Sequence, residues 1–119
     1  MPACETGAMV RIDTVVINAA DARRAAEFWG AALGYIPRGE GSLTLVPPDG
    51  DGPAVNLDET DQTHLDLRVA SAAEQRAEVE RLIGLGAQRA DWEYPDGANF
   101  VVLTDTEGNV FCVVNAGVG

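Results

Sequence analysis

A chain of 119 residues and 12.5 kDa holds one domain, long enough for a core and too short for two independent ones. Its composition, 46% apolar and 23% charged, is that of a soluble globular protein, and no apolar run approaches the roughly 20 residues that span a bilayer. Nineteen acids against eight arginines, with no lysine, set the net charge at −11, which argues against a nucleic-acid surface and fits solubility or a cationic ligand.

The opening stretch, MPACETGAM, has neither the basic start nor the apolar core of a signal peptide. Residues 1–9 read as a flexible leader, with Met9 as an alternative start. Cys4 and Cys112 make no disulfide framework and point to a reducing cytoplasm.

From Thr14 onward the chain contains itself twice. TVVINAADARRAAEFWGAALGY (Thr14–Tyr35) and HLDLRVASAAEQRAEVERLIGLGA (His64–Ala87) each open with an alternating strand. Each then meets a helix N-cap, Asp21 in the first copy and Ser71 in the second, where Glu74 completes a capping box. The first helix carries an apolar stripe of Ala25, Phe28, Trp29, Ala32 and Leu33, and the second one of Val79, Leu82 and Ile83. Gly34 and Gly86 stand where the helices must stop.

Three short strands follow in each copy: Tyr35–Arg38, Ser42–Val46 and Ala54–Asp58, then Gln88–Glu93, Phe100–Thr104 and Val110–Asn115. PPDGDGP (Pro47–Pro53) and DTEGN (Asp105–Asn109) are turns. The DGDG within the first lacks the further acids of a calcium loop. The pattern predicts an α+β fold of two tandem βαβββ modules, residues 10–59 and 63–116, forming a curved mixed sheet around a shared cavity. Both modules belong to one domain over 10–119.

Strand alternation sorts the side chains. With Val15, Ile17, Leu65, Leu67, Val55, Leu57, Phe111 and Val113 facing the helices, Thr14, Asn56, His64, Asp66 and Cys112 share the opposite face. His64 is the single histidine of the chain. Trp92 and Tyr94, in DWEYPDG (Asp91–Gly97), either wall a ligand pocket or close a sheet edge.

The doubled βαβββ pattern, DARRAAEFWGAALGY after the first strand, HLDLRV opening the second half and DTEGNVFCVV closing it resemble the vicinal oxygen chelate superfamily. This is the glyoxalase, bleomycin-resistance and extradiol dioxygenase group, and the match is to its small actinobacterial glyoxalase-like branch. In metal-dependent members four equivalent cavity positions supply His, Glu or Gln, His, and Glu. The resemblance places those positions at Thr14, Asn56, His64 and Cys112, where His64 alone matches. No metal or other cofactor is therefore expected; a divalent ion, if bound, would use His64 with Asp66 or Cys112.

The resemblance implies a small-molecule-binding protein of the bleomycin-resistance type, with ligand contacts from Thr14, Asn56, His64, Asp66, Trp92, Tyr94 and Cys112. The alternative is a divergent lyase or isomerase using His64 and Asp66 as catalytic residues, His64 being a metal ligand or an acid/base group. Against both stands a structural role for His64 at the joint between the modules, and for Cys112 as a small packed side chain. Family members pair their βαβββ units, so a homodimer is expected, with neither nucleic acid nor membrane as partner.

Overall fold

The computed structural model describes residues 10–117. The expected leader, with Cys4 and Met9, lies outside them. In chain order the elements are β1 (Arg11–Asn18), α1 (Ala22–Leu33), β2 (Ile36–Pro37), β3 (Thr44–Val46), β4 (Ala54–Asp58), β5 (His64–Val69), α2 (Ala72–Gly84), β6 (Gln88–Arg89), β7 (Phe100–Thr104) and β8 (Val110–Asn115). This is a mixed α+β chain in which βαβββ occurs twice. It divides into two compact units, one of Asp13–Leu65 and one formed by the residues before Asp13 and from Asp66 onward, so both boundaries fall inside strands, β1 and β5.

In the first unit the strand order is β2-β3-β4-β1. β1 runs parallel to β4, with Val15 beside Val55 and Val16 beside Asn56, and β3 runs antiparallel to β4 with Leu45 beside Val55. A parallel neighbour requires a crossover, and α1 provides it. Asp21 sits in extended backbone and accepts the Arg24 N–H, while Gly34 ends the helix at φ 71°. That is left-handed space, open to glycine without penalty. Ala22, Leu45, Val55 and Leu57 form the buried cluster, and Ile17, Ala25, Trp29 and Tyr35 pack against it. Leu45 and Leu57 are essentially sealed from water, each contributing about 1.5–3 kcal/mol of burial.

The apolar stripe of α1 is narrower than its sequence suggests. Ala22, Ala25, Ala26 and Trp29 carry the packing, at the spacing of one helix face. Phe28 is 62% exposed and Leu33 45%. Each residue turns the helix by about 100°, so Phe28 lies well round from Trp29. Its ring meets the Trp29 indole edge-on at 5.1 Å.

In the second unit the order is β5-β8-β7-β6. β7 and β8 pair antiparallel along their whole length, from Phe100 beside Val114 to Thr104 beside Val110. The Asp105–Asn109 turn between them closes on one carboxylate: Asp105 Oδ1 accepts the Glu107 and Asn109 N–H groups and Oδ2 accepts the Asn109 amide. Gly108 takes φ 89° there.

Ser71 caps α2 by accepting the Glu74 N–H, and Glu74 reaches back to the Ala70 N–H. The helix ends in a Schellman arrangement, Gly86 N–H to Ile83 O and Ala87 N–H to Leu82 O, with Gly86 at φ 121°. Val69, Val79, Leu103 and Val113 form the buried cluster beneath it.

Three strands are shorter than expected, β3 among them with only Thr44–Val46. β2 holds only Ile36–Pro37 and β6 only Gln88–Arg89. Pro37 has no N–H to extend a ladder. Leu65, read as helix-facing, is 38% exposed.

Candidate functional site

The segment before β5 is knitted to the end of β1, and this positions His64. Asp58 Oδ1 accepts the Thr60 N–H, the Thr60 hydroxyl and the Asp61 N–H. Those bonds, the Thr60 N–H first, hold its carboxyl below the usual aspartate range. The Asn18 amide donates to the Asp58 and Asp61 carbonyls, and the Asn18 N–H donates to the Thr63 hydroxyl. Glu59 accepts the Ala22 N–H at the start of α1. Every backbone turn before His64 is thus tied down by a side chain.

His64 Nδ1 lies 2.8 Å from the Gln62 carbonyl. A carbonyl only accepts, so Nδ1 carries a proton and donates it to Gln62. Asp61 Oδ2 stands 4.0 Å from the same nitrogen, and the His64 side chain is 9% exposed. The joint anchors the Nδ1 edge of the imidazole.

Asp66 follows two residues along β5 and so shares the face of His64. Cys112 on β8 pairs with Val102 on β7, which is completely buried. His64 in the first unit and Asp66 and Cys112 in the second are each half-buried. The sequence suggests some 7 Å between His64 and Asp66 along the strand, which is a backbone spacing.

Thr14 and Asn56 occupy a common face of β1 and β4, since Thr14 pairs with Ala54 and Val16 with Asn56. Their side chains are engaged locally. The Thr14 hydroxyl donates to Asp13 and the Asn56 amide donates to Thr44 Oγ1 at 2.8 Å. A neutral hydroxyl and a carboxamide are poor ligands, so the four positions Thr14, Asn56, His64 and Cys112 do not fit the metal set of the superfamily.

Trp92 and Tyr94 lie beyond β6, in irregular backbone, and are 42% and 44% exposed. The Tyr94 hydroxyl accepts the Val102 N–H at 2.8 Å, and its ring lies 5.5 Å from that of Phe100. Phe100, Val102, Cys112 and Val114 share a face through the β7–β8 register. Tyr94 therefore packs its ring beside Phe100 while its hydroxyl serves the backbone.

One cavity escaped the sequence. In the first unit a cleft of about 360 Å³ opens between α1 and the β2–β3 connection, lined by Arg23, Glu27, Tyr35, Pro37 and Ser42 among others. Its walls come from a helix flank and a loop, which share no periodic signal. Among the described residues, no helix is long and apolar enough to cross a membrane.

The family model of the glyoxalase-like domain matches residues 14–114. Among solved structures, methylmalonyl-CoA epimerase from Mycobacterium tuberculosis is similar with a TM-score of 0.57 and 20% identity, over 92% of this chain and 89% of that one. A glyoxalase/bleomycin resistance protein/dioxygenase superfamily member from Vibrio splendidus 12B01 is similar with a TM-score of 0.55 and 13% identity, over 90% of this chain and 99% of that one. A chain described as an NAD-dependent benzaldehyde dehydrogenase from Legionella pneumophila gives 0.61 at 13% identity, over 86% and 96%. Identities this low establish a common fold. No curated protein matches the sequence.

Proposed function

We propose, for a chain that belongs to the glyoxalase-like domain family, that it binds a small aromatic or cationic molecule, in the manner of a bleomycin-resistance protein that sequesters its ligand. The observation that carries this reading is a set of half-buried polar side chains, His64 in the first unit with Nδ1 2.8 Å from the Gln62 carbonyl, and Asp66 and Cys112 in the second. Half-burial lets these groups form hydrogen bonds that bulk water does not fully compete for. Tyr94 and Trp92 offer aromatic surface in the same unit as Asp66 and Cys112, and the −11 charge favours a cation over an anion.

The test is thermal unfolding with bleomycin and a panel of cationic aromatic antibiotics. A ligand present at a hundred times its Kd raises stability by about 2.7 kcal/mol. No shift in unfolding temperature with any of them overturns the sequestration reading.

A second reading is favoured by the same imidazole. With Nδ1 donating to a carbonyl, Nε2 would be the nitrogen that takes a proton from a substrate, and Asp66, two residues along β5, would stabilise the resulting cation. On that reading the chain is a lyase or isomerase of the superfamily. His64→Ala would then abolish turnover of an α-proton substrate while leaving the circular dichroism unchanged. For assembly we propose a homodimer, supported by the exposed apolar Phe28, Leu33 and Ile36 of the first unit.

A further inference from the structure

We propose that the cleft of about 360 Å³ in the first unit binds a small zwitterion with an apolar side chain, the chemistry of a free α-amino acid such as leucine or phenylalanine. Its volume lies at the small end of the ~300–1,000 Å³ range of ligand pockets. The cleft opens on the sheet face opposite Thr14 and Asn56. Thr44 pairs with Asn56 and Leu45 with Val55, and Leu45 and Val55 pack with Ala22 of α1. It shares no residue with the sequestration reading and stands independently of it.

Two charges of opposite sign line the cleft. Arg23 and Glu27 stand four residues apart on α1, which sets them side by side on one helix flank. Both are exposed, and among the described residues their charged groups join no ion pair, with each other or with a third residue. A guanidinium offers a planar fork that matches a carboxylate, and the Glu27 carboxylate accepts from an ammonium. One ligand carrying both groups answers both, and it adds no net charge to a chain at −11. Leu43, Leu45 and Pro37 supply apolar lining, which suits an aliphatic or aromatic side chain.

The other polar lining is committed to building the wall. The Tyr35 hydroxyl donates to the Pro53 carbonyl at 2.9 Å, and Ser42 Oγ accepts the Thr44 N–H at 3.0 Å. The Ser42 N–H closes a turn on the Gly39 carbonyl, and the Arg38 N–H reaches the Thr44 carbonyl. The loop side of the cleft is therefore in shape before a ligand arrives, which spares binding the cost of ordering it. On the helix side stands Gly30, a residue type that weakens a helix interior. A Cβ there would meet the Tyr35 carbonyl oxygen at 3.4 Å, an ordinary contact. Sterics do not demand a glycine, and the bare backbone leaves that volume to the cleft.

The experiment follows the ¹⁵N-labelled full chain by NMR during titration with L-leucine and L-phenylalanine. Saturable shifts are expected at the backbone amides of Gly30, Gly41, Ser42 and Leu43. N-acetylphenylalanine lacks the ammonium and phenylalaninamide lacks the carboxylate, and each should bind about 3–10-fold more weakly than phenylalanine. Arg23→Gln should lose the preference for phenylalanine over its amide, and Glu27→Gln the preference over the N-acetyl derivative. Gly30→Leu, which places a side chain in the cleft, should abolish the shifts. Circular dichroism shows whether each variant is folded, and the wild-type titrations need no substitution. Three results each overturn the proposal: no saturable shift with either amino acid up to ~10 mM, shifts centred on His64 or Cys112 instead, or preferences unchanged in both charge variants. The antibiotic screen can fail without moving any of these readouts.

Discussion

Arg81 grips Glu78 with two hydrogen bonds of 2.8 Å, one from Nε and one from Nη2, across a single turn of α2. Glu78 is 5% exposed and is the buried charged residue of the described core. The Arg81 hydrogen bonds come first among the causes that hold its carboxyl below the usual glutamate range, and burial opposes them. Removing the arginine leaves a buried carboxylate without its partner. Arg81→Ala should cost about 1–3 kcal/mol at neutral pH, read by urea unfolding.

The same pair makes a pH prediction. A carboxyl whose folded pKa is lowered contributes stability above its unfolded value, near 4.3, and loses it as pH falls through the folded value. Wild-type stability should therefore decline on acidification below about pH 4.3, with part of that decline absent in Arg81→Ala. Urea midpoints measured from neutral pH down to pH 3 or so check this. An equally steep acid limb in both proteins would remove Glu78 from the account.

Gly86 stops α2 at φ 121°, and a Cβ built there would come within 2.9 Å of Thr106 Cγ2. Gly86→Ala is expected to destabilise by about 1–3 kcal/mol, from backbone strain and a methyl contact together. Thr106→Ser in the same chain removes the methyl and should restore only the steric share. Full rescue by Thr106→Ser would show that the backbone angle costs little.

Leu57 is 1% exposed at the centre of the first unit. Leu57→Ala should cost about 2–5 kcal/mol, since it forfeits both burial and packing. Phe28→Ala, at 62% exposure, should stay within about 0.5 kcal/mol of wild type in the monomer. Thermal melts at low concentration separate the two.

Phe28 also tests assembly. Light scattering behind size exclusion should give twice the 12.5 kDa monomer mass for wild type and the monomer mass for Phe28→Glu. A wild-type monomer at high concentration removes the proposed pairing.

The helix ends were legible because capping is local chemistry. Asp21, Ser71 and Gly34 act within a turn of where they stand in the chain, and each takes the backbone its residue type favours. Strands β4, β7 and β8 run as their alternation suggests, Ala54–Asp58, Phe100–Thr104 and Val110–Asn115. β2 and β6 do not, because a strand lasts only while a neighbour pairs with it. Two residues of each find partners, Ile36 and Pro37 on β3, Gln88 and Arg89 on β7.

Period-two alternation in β5 and β8 is enough to set His64, Asp66 and Cys112 on one face of their strands, and the internal repeat is enough to declare βαβββ twice. Both are properties of neighbours along the chain. That the Gln62 carbonyl holds His64 Nδ1 at 2.8 Å, and that Phe28 is left in water, are of another kind. They depend on side-chain torsions, strand register and how far a helix rolls on its sheet. Those quantities are settled by packing between residues distant in sequence, and no local pattern encodes them.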